Sequence, residues 1–464
     1  MSRRRPRSGR IISKERESAL CRLLDYIPPA GTGETPSPSV VCGCRIPSWL
    51  RPRSFLSLCL SPDYRKEGAT TSLADFSQFC NDQFHLRQKA KRLPEFRKDP
   101  DIPMSTLFMF LVGGLALHRK SFHQMDLFGR QKEVRQWLGT SRYLVASDAT
   151  FWRVLPGMDQ NRIREELQQA CELLRQKGHG KIALPEGRTL RAAAVDGSAL
   201  GGRYASVLEI LGAHAAVADL EPCENRGKEL PASEALLRRF FKRHGQGVVD
   251  VVLGDGLYIT QDLIRLCREE LGTHLLVKGS EETLVIVRNA EEIIESRSRP
   301  IEVARGVDLP RGVAFEIQAV SGLRHADVPH PLKVACVKLE RIKGTNRNSC
   351  EDFWIITTDQ SLTPLQMREL AHLRWSIENH AFRALSAAVD SKHRWTRGEN
   401  SGKRFEVLML LMFLAFTLLL AYHAQLDQDV LWKSFRLRKM TLAHLVECFI
   451  LSLQSSAGAF APDT

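Results

Sequence analysis

Four side chains have the types and spacing to do phosphodiester chemistry. Arg374 and Glu378 sit one helical turn apart in PLQMRELAHLRWSIENHAFRAL, so they project together from one edge of a helix. Asp196 follows the apolar run TLRAAAV and precedes Gly-Ser; Asp255 follows VVDVVL and stands between Gly254 and Gly256. Ligands of open α/β sheets gather at strand carboxyl ends, and glycines beside an aspartate leave bare backbone for close approach. Alone, each of these carboxylates more often belongs to a turn, a helix cap or a surface ion pair. Two at strand ends and one on an apolar helix make a hard-oxygen trio suited to Mg²⁺ or Mn²⁺ rather than zinc. Two such ions about 3.5–4 Å apart activate an attacking oxygen and stabilise a leaving one.

The elements that must hold them are legible in part. Thr363, Pro364 and Gln366 open the Glu378 helix as N-cap, first-turn proline and capping-box glutamine. Leu370, Leu373 and Ile377 recur at steps of three and four and give it an apolar stripe. TLRAAAVD reads as a strand ending at Asp196, GSALGG as a turn, and YASVLEILGAHAAVADL as one or two further strands. PASEALLRRFFKRHG and ITQDLIRLCREEL read as helices around the strand that ends at Asp255, and HLLVK as a short buried strand ending in Lys278. TLVIVRN, PIEVARGVD, VAFEIQAV and LKVACVKLERI are β-like runs divided by Gly, Pro and Asn. The fold class is α/β: a mixed sheet with helices on both faces, a β-rich insertion before the final acidic helix, and a helical N-terminal domain.

The expected organisation is a basic arm and linker (1–71), a helical domain (72–185) and a first part of the catalytic core (186–280). The β-rich insertion (281–350), the second part of the core with Glu378 (351–425) and a tail (426–464) follow. Seven of the first sixteen residues are Lys or Arg, and a Pro/Gly/Ser/Thr-rich stretch comes after them. The whole chain carries +13, which favours a polyanionic partner, nucleic acid before anionic membrane. Eleven scattered cysteines, with Cys42 and Cys44 as a lone C-x-C, lack zinc-site spacing and read as reduced thiols in a cytoplasmic protein. No secretory signal is visible. Val407–Tyr422 is apolar throughout, yet at 16 residues it is short for a bilayer span and reads as a core helix, not a membrane segment. Past the Glu378 helix, Lys392, Arg394 and Arg397 interleave with Trp395, a pattern suited to a DNA backbone beside a splayed base or to a solvated loop. Lys278 is counted with these four as a DNA contact.

The phrases VDGSALGG, GAHAAVADLEPCENRGKELPASEALL, VVLGDGLYITQDLI and LRWSIENHAF resemble the DDE transposases of bacterial insertion sequences, nearest to the IS-four-like group. The resemblance runs from about Phe96 to Tyr422. It implies a ribonuclease-H-like catalytic core with a β-rich insertion before the glutamate, and 123 positions separate Asp255 from Glu378. It implies that Asp196 bridges two Mg²⁺ or Mn²⁺ ions while Asp255 and Glu378 each hold one, and that Arg374 contacts phosphate or orients Glu378. It further implies cleavage and strand transfer at the ends of a mobile element, by a homodimer acting on transposon and target DNA in the cytoplasm, near the nucleoid. The chain departs from the family pattern at Ala371 and Leu385, where the family carries Tyr and Lys. The alternatives are a decayed or domesticated DNA-binding relative and a metal-dependent nuclease on the same fold.

Overall fold

The computed structural model describes residues 72–129, 131–140, 146–176, 180–212, 214–279, 285–308, 313–325, 328–341, 352–386, 391, 400–426, 445–446 and 449–450. A helical region leads: α1 (Leu73–Phe84), α2 (Leu86–Lys91), α3 (Met104–Ala116), α4 (Phe122–Gly129), α5 (Lys132–Leu138), α6 (Asp148–Val154) and α7 (Gln160–Leu174). Then come β1 (Ala192–Leu200), β2 (Arg203–Ile210), β3 (Ala216–Cys223), α8 (Glu229–His244), β4 (Val251–Asp255), α9 (Gln261–Arg265) and β5 (His274–Gly279). The last group is α10 (Val285–Ser296), β6 (Glu302–Asp308), β7 (Val313–His325), β8 (Val328–Arg341), β9 (Phe353–Thr357), α11 (Pro364–Leu373) and α12 (Ser401–Gln425).

Among the described residues one mixed sheet has nine strands in the order β3-β2-β1-β4-β5-β9-β8-β7-β6. β1, β2 and β3 are antiparallel neighbours, whereas β4 and β5 run parallel to β1. The parallel strands need crossovers, which α8 and α9 supply. β1 is apolar on both faces because it lies centrally and is covered on both sides. Val195 and Leu208 pack with Leu236, Leu237 and Phe240 of α8, so Asp196, one residue on, faces the opposite side.

Three segments differ from the sequence expectations. β1 does not end at Asp196 but continues to Leu200, and Ser198–Leu200 are strand rather than turn. The hairpin turns at Gly201 and Gly202, with φ of 54° and 78°. A tight turn of this hand needs positive φ at both central residues, and the glycine pair supplies it. Val285–Ser296 is a helix, not a strand: Ile286, Val287 and Ala290 are buried and Ile293 and Ile294 pack beside them, a 3.6-residue period that overrides the β-branched composition. The strands of the β-rich insertion extend the same sheet, joined to β5 through β9.

α11 begins as expected, with the Thr363 hydroxyl accepting from the Gln366 N–H (3.4 Å) and the Gln366 carbonyl oxygen accepting from the Thr363 N–H (3.2 Å). Its entry is fixed by Lys333, only 1% exposed, whose ammonium donates to both Glu302 oxygens (2.6 and 2.7 Å) and to the Leu362 carbonyl (2.7 Å). Glu302→Ala strands that buried charge; the expected loss is about 1–3 kcal/mol, less than for a fully buried pair because Glu302 is half-exposed. Urea unfolding measures it, and an unchanged midpoint contradicts the assignment.

α12 is buried along Val407–His423 and packs against α3, α7 and β3. It is long and apolar enough to cross a membrane by length and composition, and 89% of its most apolar window lies inside the fold.

Candidate acidic site on the sheet

The β1–β4 ladder pairs Ala194 with Leu253; Asp196 and Asp255 each lie two residues further along their own strand. Side chains alternate with period two, so both aspartates emerge on one face from strands about 4.8 Å apart. The Asp255 carboxylate accepts from the Leu257 N–H (2.9 Å) and caps the short turn Gly256–Tyr258. The flanking glycines allow close packing around this turn. A Cβ on Gly254 would lie 2.8 Å from Cβ of Tyr258, and one on Gly256 would lie 3.2 Å from Cα of Gly279. Their bare backbone admits the protein's own neighbours, Tyr258 and Gly279.

Above this face, α11 runs on through Arg374 into a π-helical segment, Ile377–Ala384. Such wide turns are rare and frequent at functional sites. Arg374 is buried, and its guanidinium reaches both ways: Nη2 donates to Oε1 of Glu378 at 2.9 Å, and Nη1 lies 3.6 Å from Oδ2 of Asp196. Oδ1 of Asp196 accepts from the Gly197 N–H at 2.8 Å. Burial pushes the Asp196 carboxyl up to about 7; Arg374 and the Gly197 N–H pull it down, and the charges of Asp255 and Glu378 add to the rise. Three carboxylates against one guanidinium leave a net negative cluster in a partly dry site. That charge and its hard-oxygen donors fit Mg²⁺ or Mn²⁺. Among the described residues no three Asp, Glu, His or Cys side chains are already drawn together as a metal site. Between Asp196 and Glu378 lies Arg374 instead.

Lys278 is the register partner of Asp255 on β5 and shares its face. Its ammonium lies 4.2 Å from the ring centroids of both Phe353 and Trp375, the residue after Arg374. Trp375 is 37% exposed and was not singled out from the sequence, although its place between Arg374 and Glu378 was a visible signal. Glu229, from the first turn of α8, packs on the far face, where a Cβ on Gly197 would lie 2.5 Å from its carboxyl carbon. Lys392, Arg394, Trp395 and Arg397 lie outside the described residues. Ser391, just before them, accepts through its carbonyl from the Gly201 N–H (2.6 Å) at the β1–β2 turn.

Thus Asp196, Arg374 and Glu378 are in contact, Asp255 is on the adjacent strand, and Lys278 is beside it. No family model matches the sequence, nor does any curated protein. Among solved structures the chain is similar to a cryo-EM structure of a piggyBac transposase synaptic complex with hairpin DNA. The identity is 13%, the match covers 89% of this chain and 82% of that one, and the TM-score is 0.38.

Proposed function

We propose that the chain is a DDE transposase of the IS-four-like group, cutting and joining DNA at the ends of an insertion sequence in a metal-dependent reaction. The observation that carries this reading is the Arg374 guanidinium spanning Asp196 and Glu378, 182 positions apart, with Asp255 on the adjacent strand facing the same side as Asp196. The order β3-β2-β1-β4-β5, with the first three strands antiparallel and the next two parallel to β1, supports a ribonuclease-H-like core.

Asp196, Asp255 and Glu378 would together hold two Mg²⁺ or Mn²⁺ ions. Bound there, the ions would lower the cost of charge on the attacking and leaving oxygens of a phosphodiester. The chain's own residues supply the rest. Asp196, raised to about 7 by burial, would hold the ions as its carboxylate, its proton passing to solvent. Arg374, relieved of neutralising Asp196 and Glu378, offers a planar fork to a phosphate. Lys278, held on the Asp255 face by two rings, is a second cation in the position to meet a DNA backbone. Past the same helix in sequence, Lys392 or Arg394 would stand in for the lysine that Leu385 replaces, with Arg397 and Trp395 as further DNA contacts. A homodimer would bring the two element ends together.

The test is incubation of the purified protein with a plasmid carrying the DNA that flanks its gene. Mg²⁺-dependent nicks at the ends of inverted repeats and joined products are expected. Cleavage without joining would turn the reading to a nuclease, and DNA binding with no chemistry to a decayed relative. Lys278→Met should lower the salt slope of DNA binding by about one unit, the signature of one lost phosphate contact. An unchanged slope removes Lys278 from the surface.

A further inference from the structure

Arg374 stands against two of the three carboxylates that the proposed ions need. Its Nη2 donates to Oε1 of Glu378 at 2.9 Å, and its Nη1 lies 3.6 Å from Oδ2 of Asp196. A guanidinium and a divalent cation seek the same carboxylate oxygens, and their like charges repel. An ion held by Asp196 and Glu378 therefore requires Arg374 to leave them.

Leaving is costly, because this guanidinium is poorly satisfied already. Its side chain is 9% exposed, and 3.6 Å to Asp196 is too long for a hydrogen bond. Its buried Nε–H has no acceptor. Arginine carries five N–H donors in a rigid fork and keeps its charge at any pH the fold survives. Among the described residues, the one hydrogen bond of this fork is to Glu378. Drawn off that oxygen, Arg374 keeps a buried charge with no hydrogen bond, which is the expensive condition for an ion in a protein interior. A DNA phosphate removes the cost, since its two free oxygens match the fork. Each ligand thus prepares the site for the other. Phosphate takes Arg374 from the carboxylates, and metal leaves Arg374 in need of an anion.

We propose that Arg374 couples metal binding to DNA binding: without a phosphate it competes with the ions for Asp196 and Glu378, and with one it releases both. This rests on reading the three carboxylates as metal ligands, and it adds that the site's own arginine opposes the metal until DNA arrives. The coupling is reciprocal, so DNA tightens metal binding by the same factor as metal tightens DNA binding. An ion pair that merely ties the helix to β1 has neither effect.

Electron paramagnetic resonance of free Mn²⁺, titrated with the full chain, tests it with and without a short duplex from the DNA that flanks the gene. The duplex is kept at saturating concentration for each protein, and the Mn²⁺ that it binds alone is subtracted. It should raise the Mn²⁺ affinity of the wild type about 10–100-fold, within the usual range of such couplings. Arg374→Gln removes the competing charge. Without DNA it should bind Mn²⁺ about 10-fold tighter than the wild type, and the duplex should change that by less than about 2-fold. Arg374→Met, with an unbranched stem, should behave alike and serves should the glutamine variant misfold. Asp196→Asn should lose the binding with or without DNA. A wild type whose Mn²⁺ affinity the duplex leaves unmoved overturns the proposal. So do variants at Arg374 that bind Mn²⁺ no tighter than the wild type, or that respond to the duplex as strongly. Binding that depends on Asp196 but is indifferent to Arg374 removes the coupling alone. Mn²⁺ binding that is absent from every protein with and without DNA, or that survives Asp196→Asn, removes the metal reading and this proposal with it.

Discussion

Asp196→Asn is expected to abolish cleavage and, in EDTA, to make the protein more stable. The loss of activity follows from the proposed role of Asp196 as a metal ligand, for which an amide offers one neutral oxygen in place of an anion. A fall of at least about 1,000-fold is expected, with DNA binding kept because no phosphate-pairing cation is touched. The gain in stability follows from linkage. Asp196 is raised from an ordinary 3.8 to about 7 in the folded chain, chiefly by burial. The folded state thus binds its proton more tightly than the unfolded state. Its contribution is fully present below about pH 4, shrinks as pH rises, and is gone above about pH 7. Asparagine carries no such penalty, so at pH 8 the variant should gain on the order of 1–3 kcal/mol and a few degrees in melting temperature. Glu209 titrates in the same direction, so the variant's remaining loss between about pH 4 and 8 should be smaller than the wild type's, not absent. Scanning calorimetry across pH in EDTA reads both effects. A variant less stable than the wild type at pH 8 would mean that Asp196 is held by more than Arg374 and one backbone N–H.

Leu411→Asp is expected to prevent folding. Leu411 is fully buried in the middle of α12, amid a run buried from Val407 to His423 and packed by α3, α7 and β3. An unpaired carboxylate there costs several kcal/mol, and the lost leucine packing adds about 2–5 more, against a total stability of about 5–15 kcal/mol. Expression should yield insoluble protein, whereas Leu411→Met, which keeps volume, should cost less than about 1.5 kcal/mol. Far-UV circular dichroism and thermal melts distinguish the two. An aspartate variant that melts like the wild type would place the α12 face elsewhere.

What the sequence made legible was local. The cap at Thr363 and Gln366, the helical placement of Arg374 and Glu378, and the strand that ends at Asp255 are each set by neighbours within a few residues. The course of β1 past Asp196 was not, because it depends on pairing with β2 and on the Gly201–Gly202 turn, so the break was read at the first glycine after the aspartate. Composition and period conflict in Val285–Ser296, and there the period decides. The surroundings of the trio were least visible. Lys278 meets Trp375 and Phe353 only once β5, β9 and α11 are assembled, and Glu209 becomes an anomaly only when the fold buries it. One trace was present: a lone acid in the apolar strand YASVLEIL, on the side that alternation assigns to the core.

The most direct measurement is an anomalous difference map at the manganese edge from crystals of the full chain soaked in Mn²⁺. Density bounded by Asp196, Asp255 and Glu378 is expected, with the Arg374 guanidinium withdrawn from between the first and the last. Crystals that bind Mn²⁺ elsewhere, or that leave Arg374 clamped on Asp196 and Glu378 with no ion beside them, would contradict it.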